Sequence, residues 1–426
     1  MNIDIEESLN NLRVGAARYT RYERYYRGEH DLSFATEKFK NTFGSLFREF
    51  ALNLCPAVCD AVRDKLKITG FSVEDSSGGR SVDANIRRIW QANRMSLRAA
   101  EVHKEVLKNG DAYAIVWPDA AGRAAIHPNR AANCTAFYDE SPGTVIRAAK
   151  YWRTPDRLTR LNLFYPDRIE KYVTTKQNEG WLPDAKEFVP LADEPVVSNP
   201  FGVVPVFHFA NNADIGMPGS SELEAALPIQ DGLNKSVLDM LVAMEFSAFR
   251  QRWAAGIEIE YDDDGKAIAP YQAGIDRLWV SNSPETRFGD FDSANLEQFL
   301  KVKDSFRTDI ASVTGTPLYY LMPQLRGFPS GESLRKAETR FLAKVRDRQE
   351  SFGQVWADVM AFAARVSGSG DLRLITEWED AASQSEREIL ENIILKKQVG
   401  ISPEQALIEA GYGAEDARRM AEQAVK

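Results

Sequence analysis

The sequence is poor in the residues that mark several large classes of protein. It has three cysteines and four histidines in 426 residues, and a small, odd number of cysteines predicts buried thiols in a reducing compartment, not a disulfide framework. Cys55 and Cys59 lie four residues apart on a predicted helix, but with Cys134 and the scattered histidines they form no ligand pattern. The sequence therefore predicts no metal site and no cofactor.

Long apolar runs and an excess of basic residues are also missing. No segment reaches about 18 consecutive apolar residues, and the N-terminus MNIDIEESLNNL carries acids where a signal peptide would be basic and then apolar. The chain has 53 Lys and Arg against 62 Asp and Glu, a formal net charge of −9, so its surface as a whole is not expected to bind nucleic acid. We expect a soluble, non-secreted chain without a membrane partner.

The short signatures of common enzymes are absent as well. The chain contains no G-x-x-x-x-G-K-[ST], G-x-G-x-x-G, H-E-x-x-H or G-x-S-x-G motif. Asp262, Asp263 and Asp264 precede Gly265, but they lack the alternating spacing of a calcium loop and predict a solvated hairpin tip. Ser330 follows a proline-rich loop and is interpreted as a helix N-cap, not as a nucleophile. These absences predict a protein that is not an enzyme.

The sequence does contain enough apolar material for real cores. It is 44% hydrophobic and 27% charged, and its length predicts about two to three domains. Residues 4–27 predict a polar helix that ends at Gly28, and residues 43–66 predict a second helix that Pro56 kinks or restarts. The tyrosines among arginines at 18–27 could stack on bases, but the neighbouring acids favour surface packing in an assembly.

The middle of the chain predicts strands and the second half predicts helices. After a turn-rich loop at 74–81, one helix is predicted through Ile86, Ile89 and Trp90 and another from about Leu97 to Asn109. From residue 112 to about 210, apolar residues at every second position predict one antiparallel sheet built of hairpins. Ser221 and Glu224 form a predicted capping box for a helix that continues to Trp253. A small β module with a turn at DDDG follows, and Ser293 is the predicted N-cap of a second helix that ends at Gly315.

The last third of the chain is dominated by one long helix. Residues 316–330 hold three prolines and a glycine and predict a loop, after which 332–366 keep helical spacing over about nine turns, with Gly353 as a weak point. SGSGD at 367–371 is a predicted boundary. A short strand and two or three helices follow, with Pro403 in the first turn after Ser402, and the eleven acidic and six basic residues of 377–426 give this tail a net charge of −5.

This order of elements resembles that of tailed-bacteriophage portal proteins, and several motifs agree with it. The motifs, in chain order, are YYRGEH, FREFALNLCPAVCDAVRDKLKITGF, LPIQDGLNKSVLDMLVAMEFSAFRQRW, VTGTPLYYL, SGESLRKAE, RDRQESFGQVW and TEWEDAASQSERE. They are similar to those of the SPP1 Gp6-like portal family of siphophages. The resemblance covers nearly the whole chain and implies an α+β portal fold.

The family's regions are carried over by position. They are the wing at 1–218, stem helix 1 at 219–253, the clip at 254–292, stem helix 2 at 293–315, the tunnel loop at 316–330, the long wing helix at 331–366 and the crown at 371–426.

The resemblance also implies partners. We expect a homo-oligomeric ring, usually of twelve subunits, at one capsid vertex of the virion, assembled in the host cytoplasm together with capsid and scaffolding proteins. Double-stranded DNA would pass through its channel, and the large terminase and then a head-to-tail adaptor would dock on it. A channel that lets DNA slide should not hold it, which suits a net-acidic chain. The stem helices expose more apolar surface than a lone hairpin can bury, which neighbouring subunits would cover.

Residues of the loop and clip are the predicted contact sites. In the tunnel loop they are Gln324, Leu325 and Arg326, where Arg326 either touches DNA transiently or pairs with an acid of a neighbouring subunit. In the clip, the predicted docking residues for terminase and adaptor are Asp262, Asp263, Asp264, Tyr271 and Trp279. The alternatives are another head–tail connector or minor capsid protein, a nuclease or nucleotidyltransferase with an unusual acidic site, and a DNA-binding module.

Overall fold

The computed structural model describes most of the chain. The described residues are 2–31, 34, 41, 52–74, 80–139, 144–178, 182–248, 252–256, 263–264, 284–290, 296–322, 331–382, 386–410, 412 and 414–423. They fall into two compact units, the first made of residues 1–28, 53–227 and 311–426 and the second of 29–52 and 228–310. Within the described residues, no helix is long and apolar enough to cross a membrane.

The first unit begins with four helices. They are α1 Ile3–Tyr26, α2 Cys55–Arg63, α3 Ala84–Ala92 and α4 Met95–Asn109. The side chain of Asn2 caps α1, Pro56 lies in the first turn of α2, and Asp83 caps α3, as is usual at helix N-termini. The predicted interruption at Pro56 is thus confirmed as a helix start, and the helices predicted through Ile86 and up to Asn109 are confirmed.

Up to residue 210, the described residues of this unit form eleven strands, which follow the helices or lie between them. They are β1 Ile68–Glu74, β2 Arg80–Val82, β3 Asp111–Pro118, β4 Ala124–Arg130, β5 Cys134–Tyr138, β6 Val145–Arg153, β7 Thr159–Phe164, β8 Arg168–Thr174, β9 Phe188–Pro190, β10 Val196–Ser198 and β11 Val206–Ala210. Short 3₁₀ turns at Ala131–Asn133 and Ala185–Glu187 connect some of them.

The strands from β3 to β11 form two antiparallel sheets. A six-stranded sheet has the order β10-β8-β7-β6-β5, with β9 paired to β8, and a three-stranded sheet has the order β11-β3-β4. The prediction of antiparallel pairing is confirmed, but the prediction of a single sheet is wrong. The last strand, β11, returns to pair with β3, Val206 opposite Ile115, and a buried apolar cluster fills the space between the two sheets.

A third sheet joins distant parts of the sequence. Its order is β14-β1-β2, where β14 is Leu374–Trp378. The predicted strand near 374 is confirmed, whereas β1 was not predicted. In this pairing Phe71 lies opposite Thr376 and Val73 lies opposite Leu374. The two strands are about 300 residues apart in the sequence, so no local pattern reveals that they pair.

The long helix α7 runs from Gly331 to Val366 and forms the centre of the first unit. It confirms the helix predicted at 332–366. Phe352, Trp356 and Met360 are completely buried. At Gly353 a Cβ would lie 2.9 Å from the indole nitrogen of Trp378, and the Thr376 hydroxyl donates to the Gly353 carbonyl at 2.7 Å. The glycine therefore lets β14 pack directly on the helix.

Three short helices complete the first unit. They are α8 Glu386–Gln398, α9 Pro403–Glu409 and α10 Ala414–Gln423. Ser402 caps α9 by accepting from the Gln405 amide at 3.2 Å, with Pro403 in the first turn, as predicted. Gly400, with φ of +94°, ends the preceding turn.

Among its described residues, the second unit has two long helices and a strand pair. These are α5 Leu227–Ala248, β12 Arg252–Ala255, β13 Arg287–Asp290 and α6 Glu297–Thr314. Residue 227 at the start of α5 and residues 311–314 at the end of α6 belong to the first unit. Gly232 of α5 faces the Phe306 ring of α6, which a Cβ would approach to 3.0 Å, so this glycine permits close packing of the two helices. Strand β12 pairs antiparallel with β13. The predicted order of helix, β module and helix is confirmed at both ends of the module, while Gly265 and Ser293 lie outside the described residues.

Both ends of α5 differ from the prediction. Ser221 is not its N-cap, because its hydroxyl donates to the Lys108 carbonyl and accepts from the Leu223 amide, and a turn separates it from the helix start at Leu227. Trp253 is not helical, since it lies in β12 opposite Gly289, whose missing side chain leaves room for the indole ring.

The tyrosines of α1 also differ from the prediction. Tyr19, Tyr22 and Tyr25 are 9%, 4% and 0% exposed, so they belong to the core of their own chain and not to an assembly surface. The buried thiols were predicted correctly, since Cys55, Cys59 and Cys134 are all buried and none of the three is in a disulfide.

Candidate functional site

The predicted site residues are mostly outside the described part of the chain. Gln324, Leu325 and Arg326 lie there, as do Asp262, Tyr271 and Trp279. Asp263 and Asp264 are described and form an exposed turn, while the rest of the predicted hairpin lies outside the described residues. The structure does describe the residues before and after the proposed tunnel loop. The ion pairs of α7 that are buried most deeply lie close to these residues.

The end of α6 is fixed by its own sequence. Gly315 adopts a φ of +67°, which favours glycine and ends the helix. The Thr314 hydroxyl donates to the Thr316 hydroxyl at 3.0 Å and accepts from the Thr316 amide at 3.3 Å. Both threonines are buried, so the chain leaves the helix in a single defined direction.

Two cations of α7 bind the last carbonyls of α6. Arg340 donates to the Ser312 carbonyl at 3.3 Å, and Lys344 donates to the Thr314 carbonyl at 2.8 Å. The final carbonyls of a helix have no partner within the helix and carry partial negative charge. Positive side chains from α7 therefore satisfy the C-terminus of α6.

The same lysine also reaches a buried carboxylate. Glu222 pairs with Lys344, and its other oxygen accepts from Arg348 at 3.1 Å and from the Asn211 amide at 3.2 Å. The Glu222 and Arg348 side chains are each 7% exposed. We call Glu222, Thr314, Arg340, Lys344 and Arg348 the junction cluster.

The electrostatics of the junction cluster favour the charged form of its carboxylate. Burial by itself raises the pKa of Glu222, but the positive charges of Lys344 and Arg348 more than offset it and hold the pKa below the usual value. Glu222 is therefore a carboxylate at neutral pH. Arg348 also pairs with the exposed Asp347, but Glu222 is the buried partner of both cations. Since an unpaired buried cation would be costly, Lys344 and Arg348 depend on that carboxylate.

The first residues after α6 are anchored to α7 as well. A 3₁₀ turn at Leu318–Tyr320 follows the helix, and the Tyr319 hydroxyl donates to Glu338. The Tyr320 ring lies 5.8 Å from the ring of Phe341, and Leu321 is 2% exposed. The predicted loop at 316–330 thus starts with a segment that Tyr319 and Tyr320 attach to the long helix.

A cavity of about 660 Å³ adjoins the junction cluster, and its lining includes Arg340, Lys344 and Arg348 together with Glu222 and Glu224. Asp347 also lines it, so three basic and three acidic residues share the lining and the cavity carries no strong charge of one sign. Nowhere in the described ranges do three or more His, Cys, Asp or Glu residues come together as a group that could hold a metal ion. The arrangement can hold a helix end and a loop in place.

A second buried network lies beside the strand pair β3–β11. Asp111 is 1% exposed and accepts from the Tyr19 hydroxyl, the Gly219 amide and Arg18 at 2.8, 2.8 and 2.9 Å. Its other close contact is His208 Nε2, at 2.8 Å. Burial raises the pKa of Asp111, but His208, Tyr19 and the Gly219 amide together bring it below its usual value.

The Asp111 network joins several elements of the first unit through one carboxylate. Its members come from α1, β3 and β11 and from the segment that precedes α5. Tyr138 of β5 extends the network, since its hydroxyl lies 2.5 Å from His208 Nδ1. The network therefore ties the N-terminal helix to two sheets.

Reasoning from the sequence missed both networks. Glu222 and Asp111 are single acidic residues without a motif, and only the fold reveals their partners. The spacing of Tyr19, Tyr22 and Tyr25 at every third position was a usable signal, because it places the rings on one helix face.

Comparison with known proteins finds a matching family and two similar portal proteins. The phage portal protein family, SPP1 Gp6-like, matches residues 7–426. A portal protein of Mycobacterium phage D29 is 25% identical over 345 residues, which cover 76% of this chain and 68% of that protein. A portal protein of Mycobacterium phage L5 is 24% identical over 385 residues, with 85% and 76% covered.

Among solved structures, a chain from the neck of an empty GTA particle is similar, with a TM-score of 0.48 and 13% identity over 88% of this chain and 92% of that one. A chain from the virion of a native gene transfer agent particle has the same TM-score and coverage and 11% identity. The family match spans both units from residue 7, within α1, to residue 426, and the chain belongs to the SPP1 Gp6-like family of phage portal proteins.

Proposed function

We propose that this chain forms a closed ring of twelve copies at one capsid vertex, through which double-stranded DNA is packaged and later ejected. The observation that carries the proposal is the family match over residues 7–426, together with the order of helix, β module, helix, loop and long helix. The proposed role is structural: the ring supplies a passage and docking surfaces, and other proteins supply the catalysis.

Exposed apolar residues support assembly into a ring. On α5 and α6, Met244, Leu300, Val302 and Val313 are 46%, 52%, 43% and 45% exposed. Apolar residues of this size at several positions of two neighbouring helices are typical of surfaces that a further chain covers. In the ring, the α5–α6 pair of one subunit packs against the same pair of the next, and closed symmetry requires each subunit to present both sides of that contact.

The anchoring of Tyr319 and Tyr320 on α7 supports the proposed tunnel loop. Tyr319 and Tyr320 anchor the start of the loop on α7, and α7 begins at Gly331 directly after it. The proposed loop therefore starts from and returns to one rod, the 36-residue helix α7. We propose that Gln324, Leu325 and Arg326 line the passage and that Arg326 makes a transient phosphate contact, since one arginine per subunit gives less binding to DNA than a basic surface would.

The strand pair β12–β13 supports the proposed clip. It closes the base of a module whose intervening residues are 256–286. Asp263 and Asp264 form an exposed turn within it. We propose that this module docks the large terminase during packaging and the head-to-tail adaptor afterwards, and that the capsid and scaffolding proteins meet the ring during assembly in the host cytoplasm.

The mass of the purified full-length chain tests the proposal first. Native mass spectrometry should find a species near twelve times 47.8 kDa, and negative-stain images of that species should show a central hole. If the chain is monomeric, it is tested again after co-expression with the capsid and scaffolding proteins of its own phage. A stable dimer or tetramer without a hole in both preparations contradicts the proposal.

A further inference from the structure

A groove of about 560 Å³ lies between the strand pair β3–β4 and one face of the six-stranded sheet. At its inner end are Phe164 and Ile169, which belong to the buried cluster between the two sheets. Its outer walls include the half-buried indole rings of Trp117 and Trp152. The groove is therefore large enough and apolar enough to take a side chain from another molecule.

Polar side chains cross the floor of this groove in a row. Lys150 of β6 lies opposite Asn162 of β7, and Asn162 lies opposite Lys171 of β8. All three line the groove. Since neighbouring strands are about 5 Å apart, the row spans roughly 10 Å. It offers hydrogen-bond donors next to the apolar walls.

The two lysines of the row differ in their partners. Lys171 pairs with Glu194 at 2.8 Å. Within the described part of the chain, Lys150 has no carboxylate partner, and its ammonium lies over the Trp152 ring, whose centroid is 5.4 Å from Nζ. Burial lowers the pKa of Lys150, because a half-buried charge without a counter-ion is costly. A carboxylate from outside would remove that cost.

We infer that this groove binds an acidic peptide segment of a partner protein, with one carboxylate on Lys150 and a neighbouring apolar side chain between Trp117 and Trp152. The charge-assisted hydrogen bond and the burial of an apolar side chain beside it are the usual combination in small binding pockets. The inference does not depend on ring formation, because every residue in it comes from a single chain.

The same features disfavour a DNA duplex as the occupant. A duplex presents its phosphates on a convex surface, which cannot enter a groove with indole walls. Asp119 and Glu194 also line the groove and would repel a polyanion, whereas a short peptide with one or two acids can avoid them.

Fluorescence anisotropy of a labelled peptide with the full-length chain tests the inference. The probe is a fluorescein-labelled hexapeptide of sequence Ala-Leu-Asp-Leu-Glu-Ala, and its matched control replaces the acids by Asn and Gln. We expect saturable binding of the acidic probe and at least about tenfold weaker binding of the amide probe. Lys150→Met, which keeps the aliphatic stem, should weaken binding by about the same factor, and Lys150→Arg should retain it.

Controls separate this site from general charge effects and from misfolding. Lys176→Met removes an exposed lysine outside the groove and should leave binding unchanged. Circular dichroism and a thermal melt confirm that each variant is folded. The inference is overturned by equal binding of both probes, by unchanged binding in a folded Lys150→Met chain, by displacement of the probe with a 20-base-pair duplex, or by no saturable binding at 1 mM probe.

Discussion

Two helices of the first unit, α7 and α8, differ in how deeply their apolar residues are buried. Along α7, Phe352, Trp356 and Met360 are completely buried. Along α8, Leu390 and Ile394, one turn apart, are 56% and 55% exposed. Both helices show apolar residues at helical spacing, so the sequence pattern alone does not separate them. The two helices differ in what can cover their apolar residues. Those of α7 are covered by strands and helices of the same chain, whereas those of α8 are left for another molecule to cover.

The contacts of α7 explain why its apolar residues are buried. The Trp356 ring lies 4.8 Å from Phe209 of β11 and 5.5 Å from Trp90 of α3, and its indole N–H donates to His103 Nε2 at 2.9 Å. Elements from three parts of the sequence thus converge on one side chain. The residues of α8 belong to the acidic C-terminal region, where the surrounding helices are short, and we propose that neighbouring subunits cover them.

The largest effect is expected from Trp356→Ala in α7. Removing this ring leaves a cavity and an unpaired acceptor on His103, and we expect a loss of about 4 kcal/mol in the free energy of unfolding. Urea unfolding followed by circular dichroism measures it. Trp356→Phe is the matched variant, since it keeps most of the ring volume and should cost less than half as much. Equal stability of Trp356→Ala and the parent chain would mean that α7 does not organise the core.

The second effect concerns the charged side of the same helix. Glu222→Gln removes the carboxylate that pairs with Lys344 and Arg348, and we expect a loss of about 3 kcal/mol at pH 7 because two cations are left without it. Glu224→Gln, an exposed neighbour, should change stability by less than about 0.5 kcal/mol. The two variants together show whether the buried pairing, and not the local charge, holds the end of α6 on α7.

The pH dependence of that loss has a defined sign. The pKa of Glu222 is lower in the folded chain than its usual value of 4.5, so its contribution is fully present above that value and is lost as pH falls through the folded pKa. His103 also lowers the stability of the fold in an overlapping pH range. Burial lowers its pKa from 6.5 to about 3, so the unfolded chain binds the proton at a higher pH than the folded chain does. The measurement is the free energy of unfolding of the parent and of Glu222→Gln at each pH from 7 to 3. Subtracting one from the other cancels the His103 contribution, which both chains share. The remaining difference should shrink below about pH 4.5. A constant difference would exclude Glu222 as the titrating group.

How far the sequence predicts this fold depends on how local each signal is. The boundaries of α7 were predicted within one residue, because its pattern repeats over many turns and needs no partner to be seen. Strand β1 was missed because its main partner is β14, about 300 residues away. Ser221 looked like a helix cap, but the Lys108 carbonyl uses its hydroxyl. Local patterns cannot show such competition between distant groups.

The candidate site was predictable only in part for the same reason. The end of α6 at Gly315 and the loop after it follow from glycine and proline positions alone. Glu222 has no such signal, since its role requires Lys344 and Arg348 to lie one turn apart on a helix more than 100 residues later. Resemblance to a family supplied the overall role, but it could not supply these contacts.

The smallest effect on stability is expected in α8, and it tests the comparison most directly. The double variant Leu390→Ser, Ile394→Ser should change the free energy of unfolding of the monomer by less than about 0.5 kcal/mol, because both side chains are already exposed. The same variant should reduce the fraction of chains in the large species seen by native mass spectrometry, since it removes apolar surface that neighbouring subunits are proposed to cover. Lys397→Ser, on the same helix, is the control and should affect neither quantity. Lower stability of the monomer would place these residues in the core of their own chain, and unchanged assembly would leave α8 outside the contacts between subunits.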